Sequence, residues 1–518
     1  VFSLIKKRPK MKKDRKYLEI YDMVDEYKNK PIYKEVTKNL NFMKETMGDS
    51  FDLITKELYL ENKEATVKIG VSNIDGMADI SLIYDSLLET LSEKFQRAKS
   101  EDLKEDKLLD YFKDKLLFLS QVDEASTFDQ MFIALLYGDT IIYIEGVDKC
   151  LFVGTKGFKE RTIEKPTTNT TVKGPKDAFT ENIATNITLL RRRIRTPNLW
   201  VKKYIIGKSS NTLVAVVYIK GKADPKLIEE VDHRISEIRA DSILGTSYVR
   251  YYLREKQKTV FPLLLDTERP DLATACLYEG RAIIIVDGTP FALIAPSNFL
   301  LSSNTPEDFF QKSIPSSIFR VLRILSFFVA IFLPSIYLSL VMYHSELLPL
   351  NLLFSISGQR QSVPIPAALE ILLLLIAFDL LKEAGTRMPT TLGSSLSFIG
   401  AIVLGQSAVE AGLISAFVVL VVAISGICSL SVSDYDLNLT ITVTRYMIYI
   451  CTIFFGMTGI TLSAAVLILH MISLRSFGLS YLIPYAPLNI NGLKDSIIRM
   501  PLGEITDNDS SINENNPY

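Results

Sequence analysis

The chain has 518 residues, with 58 Lys and Arg against 59 Asp and Glu and a formal net charge of −1; it is about three times the usual domain size, so two or three domains are expected. Its four cysteines, Cys150, Cys276, Cys428 and Cys451, are scattered without metal-ligand spacing, which argues against a disulfide framework and a Cys-based metal box. The histidines His233, His344 and His470 are far apart and show no HExxH spacing.

The near-neutral total hides an asymmetry. Lys6, Lys7, Arg8, Lys10, Lys12, Lys13, Arg15 and Lys16 form a basic arm, and Glu504, Asp507, Asp509 and Glu514 an acidic tail. The arm reads either as a solvated end or as a dock for anionic lipid, at roughly 1 kcal/mol per charge. Without aromatic residues among its first basic ones, nucleic acid is not an expected partner. No apolar segment follows the basic residues, so no signal peptide is expected. Residues 1–48 are assigned to arm and linker, because Tyr17 to Leu40 has no firm apolar face.

A first α/β lobe is expected over 49–163. Ala65 to Val71 alternates like a strand, Ser81 to Phe95 and Ser126 to Tyr137 have helical spacing, and Thr140 to Glu145 with Cys150 to Gly154 reads as a hairpin. The Thr/Lys/Pro/Gly-rich stretch 164–175 is a linker. A second lobe, 176–311, follows with a helix over Phe179 to Ile194 and a strand pair turned around Gly207 to Asn211. Asp224-Pro225 is a helix start, an Asp cap before a proline at the first helical position. Arg281 to Val286 and Thr289 to Ala295 then pair across Asp287-Gly288.

Residues 312–475 are expected to be membrane-embedded. A hydrocarbon core of about 30 Å takes about 20 helical residues, and the spans drawn are Ile324 to Tyr343, Ala367 to Leu381, Leu392 to Ser407, Gly412 to Leu430 and Tyr446 to Ile472. Lys312, Arg320 and Arg323 before the first span place the N-terminal half in the cytoplasm. Five crossings would put Arg475, Lys494 and Arg499 outside, against the charge rule. A sixth could hide in the last span near Gly456 and Gly459, or in the irregular stretch Ser355 to Pro366. Residues 476–518 are assigned to a C-terminal cytoplasmic segment and tail. The fold class is thus an α/β N-terminal half of two small mixed lobes plus an α-helical polytopic membrane domain of five or six helices.

No GxxxxGK[ST] or strand-borne GxGxxG occurs, so no catalytic, cofactor-binding or metal-ligating residues are assigned and no enzyme is expected. Charges in hydrocarbon are costly, about 2.5–3.5 kcal/mol each, and mark function or pairing. Glu370 and Asp379 lie on opposite faces of one helix, at about 100° per residue. Asp379 is within reach of Lys382 for a structural pair, while Glu370 and Glu410 are candidates for an ion pathway. Gly393, Ser397, Ala401 and Gly405 make a small-residue packing face, and Gly456 and Gly459 permit close packing or a kink.

Several long blocks carry a family resemblance: GPKDAFTENIATNITLLRRRIR from Gly174, TERPDLATACLYEGRAIIIVDGTPFALIAP from Thr267, FLPSIYLSLVMYHSELLP from Phe332, VPIPAALE from Val363, LLKEAGTRMP from Leu380 and GSSLSFIGAIVLGQSAVEAGLIS from Gly393. Together they resemble the A subunit of the GerA-type spore germinant receptors, from about Ser120 to Pro501. Lys382 stands where that family usually has Arg. The resemblance implies a subunit of a nutrient-sensing complex in the inner spore membrane. Its implied partners are a transporter-like B subunit, a lipoprotein C subunit, membrane lipid and copies of itself in a ring that conducts ions. Two other readings are an accessory germination paralogue encoded with the dipicolinate channel and a secondary transporter. The latter lacks a second copy of the Pro364–Pro366 break.

Overall fold

The structure, a computed structural model, describes residues 27–63, 65–83, 89–97, 105–116, 122–157, 166, 173–387, 405–488 and 496–499. They fall into two compact units, one taking residues up to 170, 175–253 and 266–295, the other 171–174, 254–265 and 296 onward. The basic arm and acidic tail lie outside the described residues.

The first unit builds one topology twice. Its first lobe runs α1 (Val36–Thr46), β1 (Leu53–Glu61), β2 (Thr66–Ile74), α2 (Glu89–Gln96), α3 (Glu105–Leu116), β3 (Val122–Ala125), α4 (Phe128–Leu136), β4 (Thr140–Ile144) and β5 (Cys150–Val153). The second runs α5 (Ile183–Arg193), β6 (Leu199–Ile206), β7 (Thr212–Ile219), α6 (Pro225–Ser236), α7 (Thr246–Leu253), β8 (Leu265–Thr267), α8 (Pro270–Tyr278), β9 (Ala282–Val286) and β10 (Ala292–Ala295). The sheet orders, β1-β2-β4-β5-β3 and β6-β7-β9-β10-β8, are the same order in two copies.

Side chains repeat with the backbone. The first N–H of a helix has no intrahelical acceptor and favours an anion. Val36 N accordingly donates to Glu145 Oε2 at 3.0 Å, and Ile183 N to Asp287 Oδ1 at 3.1 Å. Asn39 closes a two-bond ring with the backbone of Tyr33 at 2.9 and 2.6 Å, and Asn186 does so with Thr180 at 2.7 and 2.6 Å. The turns after β4 and β9 place Gly146 and Gly288 at the same φ of +86°.

The sheets are buried because their central strands are near-continuous β-branched runs, Ile141 to Ile144 and Ile283 to Val286. All three expected strand pairs form, as does the helix capped by Asp224, whose side chain accepts from Lys226 N at 2.9 Å. One boundary needs correcting. Residues 36–46, assigned to the arm, are a helix of the first lobe with Val36, Leu40 and Met43 in its core. The charged residues between these positions masked its apolar face.

The lobes meet at a buried joint. Arg191 Nε and Nη2 bind Asp52 at 2.7 and 2.9 Å, both side chains nearly inaccessible. Beside them Trp200 donates to Thr46 O and covers Gly48, whose φ of +65° and contact with the indole leave no room for a side chain.

The second unit contains α9 (Phe299–Ser303), α10 (Ser313–Met342), α11 (Leu350–Arg360), α12 (Ala367–Arg387), α13 (Ala416–Leu430), α14 (Tyr435–Ser473) and a short ladder of β11 (Arg475–Ser476) with β12 (Leu479–Ser480). Among the described residues, α10 and α14 are long and apolar enough to cross a membrane, with mean hydropathy 2.3 and 2.0; α13 is apolar but shorter. Large apolar side chains such as Met447, Phe454, Leu462 and Leu469 face outward along α14, at 62, 72, 66 and 66% exposure. Water does not normally meet so continuous an apolar face.

α14 is not one rod. Gly456 leaves the helical region at φ +56°, ψ −133°. Thr440 Oγ1 donates to Val260 O, and His470 Nε2 lies 3.0 Å from Thr259 Oγ1. A straight helix would hold Thr440 and His470 about 45 Å apart, yet they reach adjacent residues. The chain therefore turns back at Gly456, and Leu437, Ile441, Leu467 and Met471 share one core.

Other sequence expectations change here. The last span starts at Tyr435, and the stretch Ser355 to Pro366, expected to be irregular, is helical as far as Arg360. Arg320 and Arg323 are not loose flanking charges. Both are buried and paired with Asp308, Arg323 at 2.8 and 3.0 Å, as charges removed from water require.

Candidate functional site

The apolar bundle carries two polar centres, both anchored on α12. The first is built by a proline-delimited start: Val363-Pro364-Ile365-Pro366 precedes the helix, and Glu370 N donates to Pro366 O at 3.0 Å. This puts Glu370 in the first turn, where its side chain is fully buried. Oε1 accepts from Ser415 N at 2.6 Å and from Ser415 Oγ at 2.7 Å. Ser415 precedes α13, so the carboxylate occupies that helix's positive end.

Among the described residues Glu370 Oε2 has no hydrogen-bond partner. Arg360 Nε, at the end of α11, stands 4.0 Å away and is likewise unpartnered. A buried carboxylate with one oxygen saturated and the other facing a guanidinium beyond bonding distance can exchange partners, a property a purely structural pair lacks.

The second centre joins α12 to the first arm of α14. Asp379 takes both oxygens to Arg445 Nη2 at 2.9 and 2.8 Å, and Tyr446 OH donates to Oδ2 at 2.6 Å. Arg445 is fully buried and also reaches Ser425 Oγ at 3.4 Å. The expected local pair of Asp379 with Lys382 is replaced by two contacts across helices, since Lys382 Nζ donates to Asn438 Oδ1. Arg445 reaches Asp379 from another helix through one nitrogen, Nη2, which lies within bonding distance of both carboxylate oxygens. A cavity of about 310 Å³ opens beside this centre.

The other sequence candidates fare differently. Glu410 is exposed and accepts from Gln406 Nε2 at 2.9 Å. Gly393, Ser397 and Ala401 lie outside the described residues. A Cβ on Gly405 would meet Val419 Cγ1 at an ordinary 3.4 Å. Gly426 is tight: a Cβ there would fall 2.3 Å from the Phe378 ring, and Ala423 and Ser429, three positions to either side, are a small-residue signal that sequence reading passed over. At the Gly456 turn, a Cβ on Gly459 would fall 2.5 Å from Cys451 O.

Sequence reading also missed Ser415, Arg360 and Arg445. Arg445 had a signal, a lone arginine inside an apolar run. Among the described residues no cluster of three or more His, Cys, Asp or Glu could hold a metal.

The family described as Bacillus/Clostridium GerA spore germination protein matches residues 41–510. Spore germination protein KA of Bacillus subtilis (strain 168) is 36% identical over 470 residues, 91% of this chain and 85% of that protein. Spore germination protein GerLA of Bacillus cereus is 32% identical over 473 residues, covering 91% and 94%. Stage V sporulation protein AF of Bacillus subtilis (strain 168) is 30% identical over 472 residues, covering 90% and 93%. The crystal structure of the N-terminal domain of the A subunit of the Bacillus megaterium spore germinant receptor GerK3 matches 52% of this chain and 97% of that chain, at 32% identity and a TM-score of 0.42.

Proposed function

The chain belongs to the GerA family of spore germination proteins, and from that premise we propose that it is the A subunit of a nutrient-sensing germinant receptor. In this reading it is a multi-pass protein of the inner spore membrane, with its α/β half on the cytoplasmic side. It works with a transporter-like B subunit and a lipoprotein C subunit, and it assembles with copies of itself. Nutrient bound by the partner biases two arrangements of the bundle, a coupling of typically 1–3 kcal/mol, and one of them releases ions. The chain is a signal-transducing component in this account, not a catalyst.

The observation that carries the ion route is Glu370, a fully buried carboxylate with one unpartnered oxygen facing Arg360 across 4.0 Å. Ionisable groups at such depth mark pathways or switches when they are not fully paired. Asp379, held by Arg445 and Tyr446, is the structural counterpart. The turn at Gly456 is where a sixth crossing would lie, because it brings the chain after Ser473 back beside the start of α14.

Glu370→Gln in spores tests the route. The reading expects germination-linked cation release to fall while the protein still accumulates; unchanged release would remove Glu370 from it. Gene neighbourhood separates the receptor from the accessory paralogue, since B- and C-type subunit genes beside this one belong to a receptor.

A further inference from the structure

We propose that Lys256, Lys258 and Arg475 bind an anionic phospholipid of the cytoplasmic leaflet, its phosphate among the three cations and its acyl chains along Val260 and Ile472. The proposal rests on the membrane reading above and adds to it a place and a charge for the lipid.

Two segments of the second unit meet at the base of the α14 hairpin. Phe477 N donates to Glu255 Oε1 at 2.8 Å, and Ser476 Oγ donates to Leu263 O at 2.6 Å. Thr259 Oγ1 stands 3.0 Å from His470 Nε2. The loop is therefore held at Glu255 and at Thr259, with Lys256 and Lys258 between the anchors, and Arg475 lies two residues before Phe477. All three residues are exposed, and among the described residues none of them has a hydrogen bond, ion pair or ring contact.

Charge selects an anion. Residues 254–265 and 474–480 hold four cations, Arg254, Lys256, Lys258 and Arg475, against the single carboxylate of Glu255, which Phe477 N already engages. Asp434 and Asp436 open α14 beside them, since Thr440 Oγ1 donates to both Val260 O and Asp436 O; counting both acids still leaves four against three. Depth selects a lipid. The second arm of α14 runs from Gly456 to Ser473, about 26 Å, close to a hydrocarbon core of about 30 Å, so Arg475 just past its end stands at the headgroup boundary. Val260 and Ile472 are 46 and 47% exposed at the same end of the hairpin. A soluble phosphate would leave both against water; an acyl chain covers them. Lysine and arginine at such a level lay their stems on the apolar surface and hold their charges among phosphates.

The test uses the full-length chain, purified in detergent and stripped of lipid, then offered equal amounts of phosphatidylglycerol, phosphatidylethanolamine and phosphatidylcholine with identical chains. Retention is read by native mass spectrometry, with free glycerol phosphate as a further arm. Phosphatidylglycerol should be retained over both neutral lipids by about fivefold per cation, so more than tenfold in all, and glycerol phosphate should not compete at the same concentration. Lys258→Gln and Arg475→Gln should each cut the ratio about fivefold, and the triple change with Lys256→Gln should remove most of it. Lys258→Arg should keep it. The triple variant should melt as the wild type does, because none of the three side chains holds another. Neutralising Lys6, Lys7 and Arg8 of the basic arm instead should leave the preference in place. Equal retention of the three lipids, an undiminished preference in the triple variant, loss of it with the arm alone, or competition by glycerol phosphate would overturn the proposal. A chain that stays monodisperse without detergent would instead contradict the membrane reading beneath it.

Discussion

Glu145 in the first lobe and Asp287 in the second hold the same position, each accepting the first backbone N–H of its lobe's leading helix, Val36 at 3.0 Å and Ile183 at 3.1 Å. The equivalence identifies the N-terminal unit as a structural duplication, and it sets a matched pair of experiments. Glu145→Ala and Asp287→Ala should each cost about 1 kcal/mol, the worth of a helix cap reinforced by the dipole. Trp200 is the chain's one tryptophan and sits on the lobe joint, so its fluorescence during denaturant unfolding reports both. If one substitution is silent, the two caps are not equivalent.

Pro334 lies inside α10 and provides no N–H for Ala330 O; Ser425 Oγ donates to that carbonyl at 2.8 Å from α13. Ser425→Ala should therefore destabilise the bundle by about 1–3 kcal/mol, the cost of a buried acceptor left unmade. Adding Pro334→Ala should recover part of the loss by restoring the helical donor. Melting in detergent measures both, and additive losses would contradict the compensation.

Glu124 is held below the ordinary carboxylate range by hydrogen bonds from Lys113 and Lys149. A group whose pKa is lowered by folding stabilises the native state above its unfolded value, about 4.3 for Glu, and that contribution disappears as pH falls through the folded value. Glu124→Gln should thus lower stability at pH 7 and flatten the acid side of the stability curve. Urea midpoints between pH 3 and 7 check this, and an unchanged acid limb would reject it.

Burial pushes the Cys276 thiol up to about 12 and raises that of Cys150 further. Neither presents a thiolate at pH 8. Iodoacetamide should leave both unmodified in the native chain and label both after denaturation; native labelling of either would show that its lobe opens.

What the sequence made legible was local. Asp224-Pro225 announced a helix start, and Asp287-Gly288 announced the turn of a hairpin, because the residues concerned are neighbours in the chain. The duplication escaped notice because its signature is a contact set, with Asn39 on Tyr33 matching Asn186 on Thr180, not a run of identical residues. Asp379 was assigned to Lys382 because helical spacing exposes only partners within a turn or so, and Arg445 reaches it from another helix. Glu370 stood out as a charge in an apolar span, but Ser415 and Arg360, which define its surroundings, are ordinary polar residues in loops and helix ends until the fold brings them together.

The measurement that bears most directly on the account is single-channel recording in a planar bilayer of the purified full-length chain together with its B and C partners. The account predicts a cation conductance that appears on adding nutrient and is sharply reduced by Glu370→Gln. A complex that assembles and binds nutrient without conducting, or one that conducts equally with Gln at that position, would contradict it.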